Sequence, residues 1–342
     1  MMLEPVAHSF LTAKSVFQLH GVDAAGKVVI RKKPRRSAVL DTLRNLPPCL
    51  VGMKACATAH YWAREISTLG HDVKLMPPAY AKPYVKRGKN DMADAEAICE
   101  AVTRPTMRFV PIKSAELQGV LVLHRTRDLL VRQRTILLTP ARGHLAEFGL
   151  IAPQGPRNVM ELIVQMREDA RGDLPEIART ALLGTGAQIE ARSRQVPALD
   201  RQLLSWHRQE STSQRLVTIP GVGVITATAL AASVPDPSVF RSGRLFAAIL
   251  GLTPRQNSSN VKEQLRRISK IGDSYLRRLL VVGAASVIRR VDTNPSATGA
   301  WVRSLLTRKP ARVTTIAMAN KTARIAWAVL AGGEIYRAPV MA

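Results

Sequence analysis

Two carboxylates three residues apart, Asp91 and Asp94, are the side chains of this sequence best spaced to do chemistry together. They fall in Lys89–Val102, an Ala-rich stretch without Gly or Pro that reads as a helix, with Asn90 or Asp91 able to cap its start. At about 100° per residue, Ala95, Ile98, Cys99 and Val102 form one apolar stripe. Asp91 and Asp94 project from that same stripe, one turn apart, while Glu96 and Glu100 point the opposite way. The spacing therefore aims two carboxylates at a packed interior. Leaving them there unpaired costs roughly several kcal/mol. A divalent metal is one remedy, and Mg²⁺ favours carboxylate oxygens. The alternative is structural: Asp91 complements the helix dipole and Asp94 finds an arginine.

The chain around this pair is strongly basic. Its 342 residues carry 50 Lys+Arg against 25 Asp+Glu, a formal net charge of +25. Such an excess points to a polyanionic partner, and to nucleic acid before a membrane, since no run of about 18 apolar residues is present. Aromatic residues make up only 4%, so base stacking on a sheet should not dominate binding. Cys49, Cys56 and Cys99 lack metal-ligand spacing and read as reduced thiols of a cytoplasmic protein. The first residues lack the pattern of a signal peptide.

The elements that must position the carboxylates read as follows. Residues 14–34 predict a hairpin turning at Ala24-Ala25-Gly26, and Ser37–Leu46 a short helix ended by Pro47-Pro48. Cys49–Met53 is an apolar strand with Lys54 just past it, Ala57–Leu69 a helix stopped by Gly70, and Asp72–Met76 a further strand. This order predicts a mostly parallel sheet with helices on its faces. After the carboxylate helix, Met107–Pro111 reads as a short or edge strand. Ser114 opens a long helix in which Leu123, Leu130 and Leu137 recur every seven residues, as do Leu117, Val131 and Leu138 with His124 in register. Pro140 should kink or end it. A second long helix starts near Asp173 and runs to about Trp206, with breaks expected at Gly184, Gly186 and Pro197. His124 and His207 read as packing or surface residues. Ile219-Pro220-Gly221-Val222-Gly223 before Thr226–Leu230 resembles a helix-hairpin-helix, in which Gly221 and Gly223 let backbone N–H groups meet a phosphate; an ordinary αα turn is the alternative. Helices are predicted over Ser238–Gly251, Ser274–Arg290 and Arg312–Ala331. The expected organisation is an α/β domain over residues 13–112, a helical coiled-coil linker over 113–210 and an all-α C-terminal domain over 211–335.

Several motifs coincide over nearly the whole length. They are Lys14–Gly21, Ala55–Ala63, Lys86–Asp91, Ala95–Ile98, Ile219–Gly223 and Gly251–Ser259. On these the chain resembles the DEDD-type insertion-sequence transposases, the group that includes the Piv and MooV invertases. The resemblance implies an N-terminal domain of RNase H/RuvC type with four acidic residues holding Mg²⁺. It further implies an oligomerising helical linker, so a dimer or tetramer, and a C-terminal domain with a nucleophilic serine. A structured guide RNA, pairing with target and donor DNA, is implied as a partner. The serine of such a site attacks a DNA phosphate, and metal assists. Carried over by position, Asp91 and Asp94 are the last two acidic residues, and the serine falls on Ser259 with Ser258 beside it.

Two acidic positions depart from the family pattern. The first acidic position falls on Leu11 and the second on Lys54, where the family has glutamate; a lysine there repels metal and can pair with Asp91 or Asp94 in its place. Met1–Thr12 does not resemble the family's first strand and reads as a misassigned start or a frameshift. Asn260 and Val261 replace the glycines that usually follow the serine. Lys86, Arg87, Lys89, Arg255, Arg266 and Arg267 are the basic residues expected to line nucleic acid. Three readings compete: a DNA transposase or recombinase, degenerate in its chemistry; a non-catalytic nucleic-acid-binding remnant; and a RuvC-like junction nuclease without the serine step.

Overall fold

The computed structural model describes residues 5–11, 17–85, 90–168, 174–256, 265–293 and 296–338, with residues 5–11 described as backbone. The chain divides into two units: Met1–Gln118 with Val234–Arg241, and Gly119–Ser233 with Ser242–Ala342.

The first unit is built on a five-stranded sheet. Its strands are β1 (Pro5–Leu11), β2 (Gln18–Asp23), β3 (Val28–Lys32), β4 (Leu50–Lys54) and β5 (Asp72–Met76), in the order β3-β2-β1-β4-β5. β1 runs antiparallel to β2 and parallel to β4, and β4 is parallel to β5. The hairpin of β2 and β3 and the parallel pair were predicted. The central strand was not: Met1–Thr12 has no family-like sequence, yet Pro5–Leu11 pairs on both sides. Backbone hydrogen bonding to two neighbours asks for extended residues, not for a particular sequence. Val110 closes the far edge through a bridge to Leu75, as expected of Met107–Pro111.

Helices cover both faces of this sheet. Alternation along β4 sends Val51 and Met53 into a core with α1 (Val39–Arg44) and α2 (Ala59–Ser67). Leu50 faces the other way, into a core with α3 (Pro78–Ala81) and α4 (Asp91–Val102). Trp62 anchors the first face, its ring edge-on to Phe17 at 5.1 Å between centroids. Gly52 shapes the second. A Cβ there would come within 2.8 Å of Val102 Cβ and 3.2 Å of Ile98 Cγ2. The missing side chain lets α4 lie directly on β4.

The second unit is helical. Its elements are α5 (Ala115–Ala146), which begins just before the unit's first residue, α6 (Pro156–Glu168), α7 (Glu176–Gln209), α8 (Ser211–Leu216), α9 (Val224–Ser233), α10 (Gly243–Ile249), α11 (Ser274–Arg289), α12 (Ala297–Leu306) and α13 (Ala311–Gly332). Several expectations need correction here. Pro140 neither ends nor breaks α5, and Pro197 does not break α7. Both prolines lie on exposed faces, where the carbonyls they leave unbonded, those of Ile136 and Ser193, can meet water. The glycines of α7 do not interrupt it either. At Gly186 a Cβ would come 2.5 Å from Ile163 Cγ2, so this glycine admits α6 at close range; the predicted break is a packing site. Asp173, the expected start of this helix, lies outside the described residues. Helices α6 and α12 were not foreseen, and Ser238–Gly251 is one shorter α-helix after a 3-10 turn at Pro237–Val239. The C-terminal region is also not all-α: β6 (Pro254–Gln256) and β7 (Leu265–Ile268) form an antiparallel ribbon.

Candidate functional site

The carboxylates sit in the first turn of α4. Asn90 caps it, its side chain accepting from Ala93 N at 2.7 Å. Ala95, Ile98, Cys99 and Val102 are buried as the periodicity required. The carboxylates themselves are not, which corrects the expectation that both point into a packed interior. Asp91 is exposed, and the Asp94 side chain retains 26% of its accessibility. The apolar stripe runs on beneath them, but the first turn of α4 stands level with the end of β4, beyond the cover of the core.

Lys54, the last residue of β4, lies on the same side of the strand as Leu50 and Gly52. Its Nζ is 3.5 Å from Asp94 Oδ2, with both side chains about a third exposed or less. Asp94 has therefore found Lys54, one of the pairings expected of a lysine at this position, and not an arginine. In the parallel pairing of β1 with β4, Phe10 stands opposite Met53. Leu11 and Lys54 are thus the next residues on two adjacent strands, one step beyond that pair. The four positions named from the resemblance, Leu11, Lys54, Asp91 and Asp94, gather at one end of the sheet.

This donor set does not suit Mg²⁺. The ion needs several oxygen ligands in near-octahedral geometry. Here an ammonium group occupies the flank of one carboxylate, and the other faces solvent. Among the described residues no cluster of three or more His, Cys, Asp or Glu side chains could hold a metal.

The remaining candidates divide. Ser258, Ser259, Lys86, Arg87 and Lys89 lie outside the described residues, and Arg266 is described only as backbone of β7. Arg255 is exposed on β6 and donates to Ser269 O at 3.1 Å, which braces the ribbon. Arg267 is exposed on β7. Gly221 and Gly223 behave differently from each other. Gly221 adopts φ +84°, and a Cβ there would meet Gly283 O at 2.9 Å. It serves a backbone-to-backbone contact with α11. Gly223 is exposed with open space around it, just before α9.

His124 is a packing residue, as expected, in a buried polar knot. Its Nδ1 is 3.0 Å from Tyr275 Oη, and its Nε2 is 3.0 Å from Thr228 Oγ1. Arg127 and Asp200 pair beside it. Burial first, then Arg127, pushes the imidazole down to about 4, with Asp200 opposing. Sequence reading missed a group of cations on α13. Ala317, Lys321, Arg324 and Ala328 follow spacings of four, three and four, which put them on one helical face.

Residues 12–149 match a transposase family of DEDD, IS110 type, and residues 213–299 match the transposase IS116/IS110/IS902 family. A Pseudomonas aeruginosa protein named "Probable family 20 transposase" is 47% identical over 95% of this chain and 96% of its own length. The transposase for insertion sequence element IS1328 of Yersinia enterocolitica is 40% identical over 94% of this chain and 96% of its own. That for IS1111A of Coxiella burnetii is 38% identical over 95% and 89%. The chain is thus similar over almost its whole length to insertion-sequence transposases. It belongs to the IS110/IS116 family of transposases. Among the described residues no helix is long and apolar enough to cross a membrane.

Proposed function

We propose that this protein is a DNA-binding transposase of an insertion sequence whose N-terminal chemical centre is closed. The ion pair between Lys54 and Asp94 carries the reading. A cation held at that carboxylate repels a divalent metal and supplies a counter-charge in its place. The centre is then ordered and inert, and the chain cuts and joins DNA poorly or not at all.

The wider reading follows the family. The sheet order β3-β2-β1-β4-β5, with β4 and α4 carrying acidic positions, supports a RuvC-like N-terminal domain that takes in the central strand Pro5–Leu11 ahead of the expected residues 13–112. A linker over 113–210 and a C-terminal domain over 211–335 complete the proposed organisation. Val122, Leu129 and Ile136 recur every seven residues on α5 and stay 55%, 46% and 68% exposed, which supports association of two or more copies through this helix. The turn between α8 and α9, with Gly223 open, supports a helix-hairpin-helix contact with a DNA phosphate. Ser259, with Ser258 beside it, is the proposed nucleophile, and a structured guide RNA the proposed second nucleic acid.

The test is a recombination assay with matched guide RNA and DNA. The unmodified chain should recombine far below intact relatives. Restoring it should need Lys54→Glu and Leu11→Asp together, because metal sites require their full ligand set; Asn260→Gly is the further change expected to help the serine step. Recombination by the unmodified chain at the rate of intact relatives would overturn the reading.

A further inference from the structure

The helical unit holds a cleft of about 1730 Å³ between α10, α12, α13 and the β6–β7 ribbon. That volume exceeds the roughly 300–1,000 Å³ of an ordinary small-ligand pocket, so it has room for more than one nucleotide-sized group. Its charge is one-sided. Arg244, Arg267, Lys270, Arg312, Lys321 and Arg324 line it, and among the described residues no Asp or Glu does. Among the described residues none of these six cations is paired with a carboxylate.

The walls are not merely basic. Two of the chain's four tryptophans, Trp301 and Trp327, line the cleft, alongside Ile268, Val313 and Ile316. Lys321 stands over the Trp301 ring with Nζ 4.3 Å from its centroid. Burial first and Arg324 second push the Lys321 ammonium below its ordinary value. Among the described residues, the cleft thus brings cations together without a carboxylate as counter-ion. Asn320, which donates to Leu252 O at 3.3 Å, holds α13 to the segment leading into β6.

We propose that this cleft binds a single-stranded segment of nucleic acid, its phosphates on the six cations and one or more bases against Trp301 and Trp327. The proposal rests on the reading of the chain as a nucleic-acid-binding protein and names where an unpaired strand lies. A basic groove lined by aromatic side chains is the chemistry single strands require, since every base has a face to stack and every nucleotide a charge to neutralise. A duplex presents its bases to each other and gains nothing from the tryptophans.

The experiment uses the full chain with a fluorescently labelled oligothymidylate and a duplex of equal length. Arg312→Glu with Lys321→Glu should weaken single-strand binding about tenfold or more, and flatten its salt dependence. Trp301→Leu should weaken it about tenfold, as loss of a stacking platform does. Duplex affinity should change much less in both. Far-ultraviolet circular dichroism identifies a variant that fails to fold. For that case, a 5-iodouridine-substituted single strand is photocrosslinked to the unmodified chain, and the adduct should map to the peptide containing Trp301 or Trp327. Equal loss of single-strand and duplex binding by folded variants would overturn the assignment. So would crosslinks confined to other peptides, or a change in oligomeric state with single-strand affinity intact, which would mark the cleft as a seat for a second copy. If the unmodified chain binds neither probe, the nucleic-acid reading itself fails; if it binds both and the folded variants do too, only the cleft is wrongly assigned.

Discussion

The two units of this protein treat a lysine in opposite ways. In the sheet unit, Lys54 stands 3.5 Å from Asp94 and is matched by it. In the helical unit, Lys321 lies over Trp301, and the charge that acts on it is the like charge of Arg324. A cation with an internal partner contributes order and attracts little. A cation gathered with others, with no carboxylate beside it among the described residues, is a standing demand for an anion. On the function proposed above, the contrast sets a closed centre in the first unit against a binding cleft in the second.

The contrast depends on the packing within each unit, and the sharpest way to break it is to break that packing. At Gly283 a Cβ would fall 1.9 Å from Gly221 O, a backbone atom that cannot swing aside. Gly283→Ala should lower stability by more than about 3 kcal/mol, read as a large fall in the chemical-denaturation midpoint. A change below about 1 kcal/mol would show that α11 and the Gly221 turn are not locked together.

Next comes the polar knot of the helical unit. The folded His124 is held down to about 4, against an ordinary 6.5, with Arg127, Asp200, Tyr275 and Thr228 around it. As pH falls, the unfolded chain takes up this proton first, so stability drops between those two values and levels off below the lower one. The loss approaches about 3 kcal/mol as an upper bound. His124→Gln should flatten the dependence of unfolding free energy on pH across that window. An unchanged slope would assign it to other groups.

Smaller effects are expected in the sheet unit. Gly52→Ala must push Val102 and Ile98, side chains that can shift in part, and should cost about 1–3 kcal/mol. Lys54→Met removes a partly exposed ion pair and should change stability by less than about 1 kcal/mol. A larger loss would mean that the pair holds α4 to β4, which the buried face of α4 should do by itself.

How far the sequence revealed this arrangement depends on how local each cause is. β5 is the predicted Asp72–Met76, and α4 begins at the predicted cap, because alternation and capping are written within a few neighbouring residues. The possibility that Lys54 pairs with Asp94 was also legible, since both belong to motifs of fixed order. The exposure of Asp91 was not: periodicity gives the face of a helix, but not where along that face the core ends. The unbroken α7 was missed for a similar reason. Gly186 reads as a breaker alone, and only the approach of Ile163 makes it a contact. The strand Pro5–Leu11 owes its central place to β4, a pairing partner distant in sequence. The cleft gathers residues from α10 to α13 and the ribbon, so no single stretch announces it.

The central claim, that the carboxylate site is closed by its own lysine, is tested most directly by titrating metal. Mn²⁺ binding followed by calorimetry on the unmodified full chain should show no saturable site at Asp91 and Asp94. The Leu11→Asp, Lys54→Glu double variant should acquire one, and Asp94→Asn in that background should remove it. Saturable binding by the unmodified chain that is lost on Asp94→Asn would contradict the account.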